Sequence, residues 1–133
     1  MNILGVDLGH DLSACLLRDG EIVVLIEEDR LTRVKHGLPG AFRDLGSTFN
    51  ARFCYFPWAS VNYCLRVGDM AIDDLDAIAV PDVPLDWDWL IPIRDKSKIY
   101  VLKEPAQGCH HYSHAASAVY SSTFEEAAVL FVD

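Results

Sequence analysis

Three histidines stand within five residues, His110-His111-Tyr112-Ser113-His114, in a chain of 133 residues that holds five histidines in all. On a helix, His110 and His114 would project from one face, one turn apart. Two imidazoles at that spacing make a bidentate platform for a divalent metal. A zinc-protease motif puts Glu directly after the first His. Here that place is His111, so metal-assisted proteolysis lacks its general base. From these residues alone, metal binding, phosphate binding and a merely polar helix start all stay open. Asp133 closes the apolar run of residues 129–132. An acid at the carboxyl end of a buried strand faces the crevice where α/β sheets bind ligands, and it would supply a third, oxygen ligand. Its bland alternative is a turn or helix-capping Asp.

Two further segments carry chemistry-bearing side chains. Gly5-Val6-Asp7-Leu8-Gly9-His10-Asp11 sets an acid among apolar residues and then a glycine turn with His10 and Asp11 at its tip. Such a turn brings backbone N–H groups and side chains close to a phosphate. An Asx-type turn without a ligand has the same composition. Glu27-Glu28-Asp29-Arg30-Leu31-Thr32-Arg33-Val34-Lys35-His36 runs three acids into a basic stretch. Arg33 and Lys35 are suited to an anionic group such as a phosphate or carbamoyl phosphate. Composition favours the plainer reading of a solvated stretch with weak local ion pairs.

Short elements must position these groups. Residues 3–8, 12–18 and 21–26 read as three strands, with Asp19-Gly20 as a two-residue hairpin turn. The connections are too short for a helical crossover, so these strands must be antiparallel neighbours. Residues 58–67 carry apolar side chains at helical spacing, and Gly68 reads as the stop. Residues 77–80 form a short buried strand ended by Pro81. Residues 81–98, with three prolines and two tryptophans, read as an irregular surface excursion. Residues 99–102 are a strand, 113–120 an alanine-rich helix, and 127–132 a last buried strand. The class is α/β with a mixed sheet. A chain stopping at an apolar strand reads as a truncated fragment, with other parts of any active site outside it.

The net charge of −9 argues against a nucleic-acid surface, which needs clustered Lys and Arg. Four cysteines form no CxxC pair, and the first residues lack a basic start and an apolar signal stretch. No apolar run approaches the roughly 18–20 residues of a membrane span. The expected setting is the cytoplasm, with reduced thiols.

Taken together the segments resemble one family. Residues 3–23, with His10-Asp11-Leu12-Ser13-Ala14-Cys15, are similar to the amino terminus of the NodU/CmcH-type O-carbamoyltransferases, as is the run from Glu27 to His36. So are the double-His motif ending His114-Ala115-Ala116-Ser117-Ala118, the pair Val132-Asp133, and Asp74-Leu75-Asp76 ahead of a strand. Asp29, where Glu is more usual, and Leu31, where Phe is, are mild departures. The resemblance covers nearly the whole chain. It implies a mixed sheet with flanking helices of the actin/Hsp70/sugar-kinase (ribonuclease H-like) type. Residues 1–133 would be the amino-terminal part of a Kae1-like domain, whose remainder and YrdC-like companion are missing.

The resemblance also implies a reaction. ATP and carbamoyl phosphate give carbamoyl adenylate and pyrophosphate, and the carbamoyl group passes to a hydroxyl of a small-molecule acceptor. His110, His114 and Asp133 would hold a divalent metal, Fe2+ first and Mg2+ as a second candidate. His10 and Lys35 would act at the carbamoyl group, with Asp11, Arg33 and His111 on substrate or nucleotide. A Kae1-like tRNA threonylcarbamoyl transferase is the alternative within the superfamily, disfavoured by the acidic charge. A non-catalytic nucleotide-binding or chaperone-like module on the same fold is the alternative of a different class. The acceptor is not legible, and a homo-oligomer is left open.

Overall fold

The computed structural model describes residues 1–9, 11–35, 56–82, 85–103 and 109–130, with the backbone alone at 109 and 110. It divides into two compact units, residues 1–101 and residues 102–133.

The first unit is a mixed α/β arrangement. Strand β1 spans Asn2–Asp7, β2 Ser13–Arg18, β3 Glu21–Glu27, β4 Ala77–Pro81 and β5 Ile99–Leu102. They form one five-stranded sheet in the order β3-β2-β1-β4-β5. β1–β2 and β2–β3 are antiparallel, as the tight connections require, and β4 lies parallel to β1. The β2–β3 turn bears out its sequence signal. Asp19 (φ 54°) and Gly20 (φ 89°) both have positive φ, the type I′ geometry that matches strand twist. The β2–β3 ladder shifts register between Leu16 and Leu17, which leaves Val23 as the extra residue of a bulge.

Alternation puts Leu4, Val6, Ala14, Leu16, Ile78 and Val80 on one face, all buried. Helix α1, Glu28–Thr32, follows β3 at once, and helix α2 spans Trp58–Val67. α2 lies over β2 and β3 and also touches α1, and its Val61 and Cys64 are fully buried. Gly68 ends α2, though not by the left-handed conformation usual for a terminal glycine. It is right-handed (φ −73°), and Asp69 takes the positive φ of 52°. The Asp69 N–H donates to Arg66 O (3.2 Å) and the Met70 N–H to Leu65 O (3.1 Å), the paired bonds of a Schellman motif. Gly68 is needed for another reason. A Cβ there would come within 2.5 Å of Leu16 Cδ2, so the helix end packs on the sheet through a missing side chain.

The segment after β4 differs from the expected surface excursion. Helix α3 spans Trp87–Leu90, and Trp87, Ile91 and Ile93 are buried in the core. Trp87 meets Phe56 edge-on at 6.4 Å between ring centroids. Burial of three large apolar side chains, about 1.5–3 kcal/mol each, outweighs the irregular backbone that the prolines impose.

The second unit contains helix α4, Cys109–Tyr120, which begins four residues before the expected start. The strand expected at 127–132 is not found over 127–130. These residues carry no regular structure, and Val129 and Leu130 are exposed. An apolar run becomes a strand only against a neighbour that takes up its backbone groups, and no described strand pairs with it. Among the described residues, no helix is long and apolar enough to cross a membrane.

Candidate functional site

Parallel pairing of β1 with β4 brings their carboxyl ends to one edge of the sheet, the edge at which open α/β sheets take ligands. The antiparallel register continues this edge through Asp7↔Ser13 and Ser13↔Glu27. The connections that emerge there are the β1–β2 turn, the β3–α1 junction and the exit from β4 at Asp82.

The β1–β2 turn is an Asx turn, since the Gly9 N–H donates to Asp7 Oδ1 at 3.0 Å. A Cβ on Gly9 would lie 2.9 Å from Asp7 Oδ2, so a side chain there would make the exposed carboxylate shift. The turn closes on Leu12, which is buried while holding φ at 37°. A bulky residue with positive φ costs on the order of 1–3 kcal/mol and persists only where its surroundings over-determine it. Two contacts do so: the side chain sits in the core, and the carbonyl accepts the Glu28 N–H at 2.8 Å.

Glu28 is the side chain that sequence reasoning missed. The charged stretch was expected to be solvated, yet Glu28 is fully buried. Its carboxylate accepts the Ala59 N–H (3.2 Å), the Ser60 N–H (2.7 Å) and the Ser60 hydroxyl (2.6 Å). These are donors of the first turn of α2, where a helix has unpaired N–H groups and favours negative charge. Pro57, the residue before α2, offers no capping side chain, so Glu28 supplies the cap from a distant part of the chain. A signal for this was present in the pattern. Val24 and Ile26 face the core on alternate positions, and Glu28 is the next inward one.

Beyond Glu28 the stretch does show its plainer character. The exposed Arg30 pairs through Nε with Glu27 at 3.0 Å and lies 3.5 Å from Asp29 Oδ1, and a cation so open to solvent adds little. Arg33 ends α1 in the left-handed region (φ 59°), with its N–H donating to Asp29 O at 2.9 Å. Thr32 Oγ1 donates to Glu28 O (3.0 Å) and accepts the Val34 N–H (3.3 Å). The exit from α1 is thereby defined up to Lys35. Arg33 and Lys35 are exposed, as is Asp11 in the turn.

Of the expected site residues, Asp11, Arg33 and Lys35 therefore belong to the same edge of the first unit. His111 and His114 are exposed on α4 in the second unit. Positions 110 and 114 stand one turn apart on that helix, as the metal platform requires. His10, Asp133 and the side chain of His110 lie outside the described residues. Among the described residues no group of three or more His, Cys, Asp or Glu is arranged to hold a metal. Among the described residues, Cys15 lies in β2 and Cys64 on α2. Cys64 is pushed up to about 11 by burial, and burial also raises Cys15, so neither is a ready nucleophile.

No protein-family profile matches the chain. It is 30% identical to Uncharacterized protein sll1178 of Synechocystis sp., over 99% of this chain and 25% of that protein. It is 27% identical to Nodulation protein NolNO of Sinorhizobium fredii, over 93% of this chain and 19% of that protein. The chain thus spans about a quarter or less of the length of these curated relatives, with a nodulation protein as a distant one.

Proposed function

We propose that the chain is the amino-terminal part of the Kae1-like, actin/Hsp70-type domain of a NodU/CmcH-type O-carbamoyltransferase. One observation carries the reading. The two amino-terminal motifs that bear the resemblance, around residues 9–12 and 27–35, meet at the carboxyl end of β1 through the Glu28 N–H to Leu12 O bond. The distant match to a nodulation protein supports it.

In this reading the acceptor hydroxyl attacks the carbamoyl carbon of carbamoyl adenylate. A new C–O bond forms, the bond to the phosphate oxygen breaks, and AMP leaves. His10 takes the hydroxyl proton, since an imidazole titrates near neutrality. Lys35 faces the negative charge that develops on the carbamoyl oxygen. Arg33 and Asp11 orient substrate, the guanidinium by paired hydrogen bonds to an anion. His110, His114 and Asp133 would hold a divalent metal, iron first, with His111 beside them. Such a metal would offset charge on the nucleotide phosphate.

Replacing both His110 and His114 with Ala in the full-length protein tests this assignment. The expected result is loss of bound metal and of carbamoyl transfer from a protein that still folds. A variant that retains both metal and transfer would contradict it.

A further inference from the structure

We infer that Glu28 is a positioning residue that fixes the Arg33–Lys35 segment against the β1–β2 turn. This rests on the carbamoyltransferase reading for what the segment does, and on the structure alone for how it is held. The buried carboxylate makes three hydrogen bonds, and all of them go to the first turn of α2. Its own main-chain N–H reaches Leu12 O in the turn, and its carbonyl accepts the Thr32 hydroxyl at the exit of α1. One residue therefore ties three pieces of chain: the turn next to Asp11, the short helix that ends in Arg33, and α2.

A five-residue helix is too short to hold itself. Among the described contacts, α1 touches only β3 and α2 in more than isolated places, and the link to α2 includes this carboxylate. Without it, the Ser60 hydroxyl and N–H would be left buried and unpaired, the part-buried Ala59 N–H would lose its acceptor, and α1 would lose its anchor. The basic segment would then sample positions away from the turn. Glu28 is fully buried, so it acts through its neighbours. Its effect is on the geometry with which Arg33 and Lys35 meet an anion, and a displacement of about 1 Å at such a site is worth up to about 100-fold in rate.

The experiment combines limited trypsin cleavage with kinetics on the full-length protein at a temperature well below unfolding. Trypsin cuts after Arg33 and Lys35, which report directly on how firmly the segment is held. Glu28→Ala is expected to speed both cuts about tenfold and to slow carbamoyl transfer about tenfold, with little change in the KM for carbamoyl phosphate, which is consumed in the preceding adenylation. Glu28→Gln, which keeps one carbonyl acceptor, should recover part of both. Ile78→Ala, a core change in β4, is the stability-matched control and should leave cutting and the transfer rate unchanged. If Glu28→Ala does not fold, Ser60→Ala and Glu28→Gln carry the test, with cutting faster by about two- to threefold. Unchanged cutting in the Glu28 and Ser60 variants, or equal acceleration in Ile78→Ala, overturns the inference. A wild-type protein that consumes no carbamoyl phosphate sinks the carbamoyltransferase reading instead, and the cleavage arm still decides the role of Glu28.

Discussion

Glu27 and Glu28 are adjacent and chemically identical, yet one is a half-exposed partner of Arg30 and the other is a fully buried cap. Composition cannot separate them. The inward alternation of β3 can, because it assigns Glu28 to the core side where the helix N-terminus of α2 waits. Removing a charged acceptor from buried donors leaves those donors unpaired. Glu28→Ala is therefore expected to lower stability by about 3 kcal/mol, and Ser60→Ala by about 1 kcal/mol. Urea melts at constant slope check both, and equal stability of Glu28→Ala and wild type would contradict the account. Asp95 is the opposite case, an exposed acid with a purely local task. Its carboxylate accepts from the Ser97 hydroxyl (2.6 Å) and N–H (3.1 Å), which holds it below its ordinary 3.8. A depressed carboxylate stabilises the fold above its unfolded value, and that contribution fades as pH falls through the folded one. Stability should thus decline below about pH 4, and Asp95→Asn should flatten part of that decline in acid titration of the melting temperature.

Elements with a strong period were legible in the sequence, and elements without one were not. The first three strands, the Asp19-Gly20 turn and α2 follow alternation, positive-φ residues and helical spacing, and all are present. Five-residue α1 and four-residue α3 are shorter than any window in which a helical period can be counted. Trp87, Ile91 and Ile93 are spaced by four and then two, which matches no single period and hid a core segment among prolines. The α2 terminus shows the same limit, because the glycine was legible and its reason was not. Gly68→Ala is expected to cost about 1–3 kcal/mol by overpacking against Leu16, while Asp69→Gly should be neutral or slightly stabilising, since glycine accepts positive φ freely. Thermal melts of the two variants check this, and the reverse order would contradict the Schellman assignment.

At the scale of the whole molecule, the sheet order could not be read beyond its first three strands. β4 joins beside β1 and in parallel with it, a long-range pairing that no local pattern encodes. That pairing creates the carboxyl edge at which Asp11, Arg33 and Lys35 emerge. The histidine cluster, the densest chemical signal in the sequence, falls on a helix that begins before the expected start, and it belongs to the second unit. The apolar run of residues 127–130 misled, because hydrophobicity specifies burial only where a partner surface is supplied.

The central claim is that the full-length protein couples ATP to carbamoyl transfer, and its most direct test is to follow AMP and pyrophosphate after mixing it with ATP and carbamoyl phosphate. The account predicts release of both that depends on carbamoyl phosphate and on metal. A folded, metal-loaded protein that releases neither would contradict it.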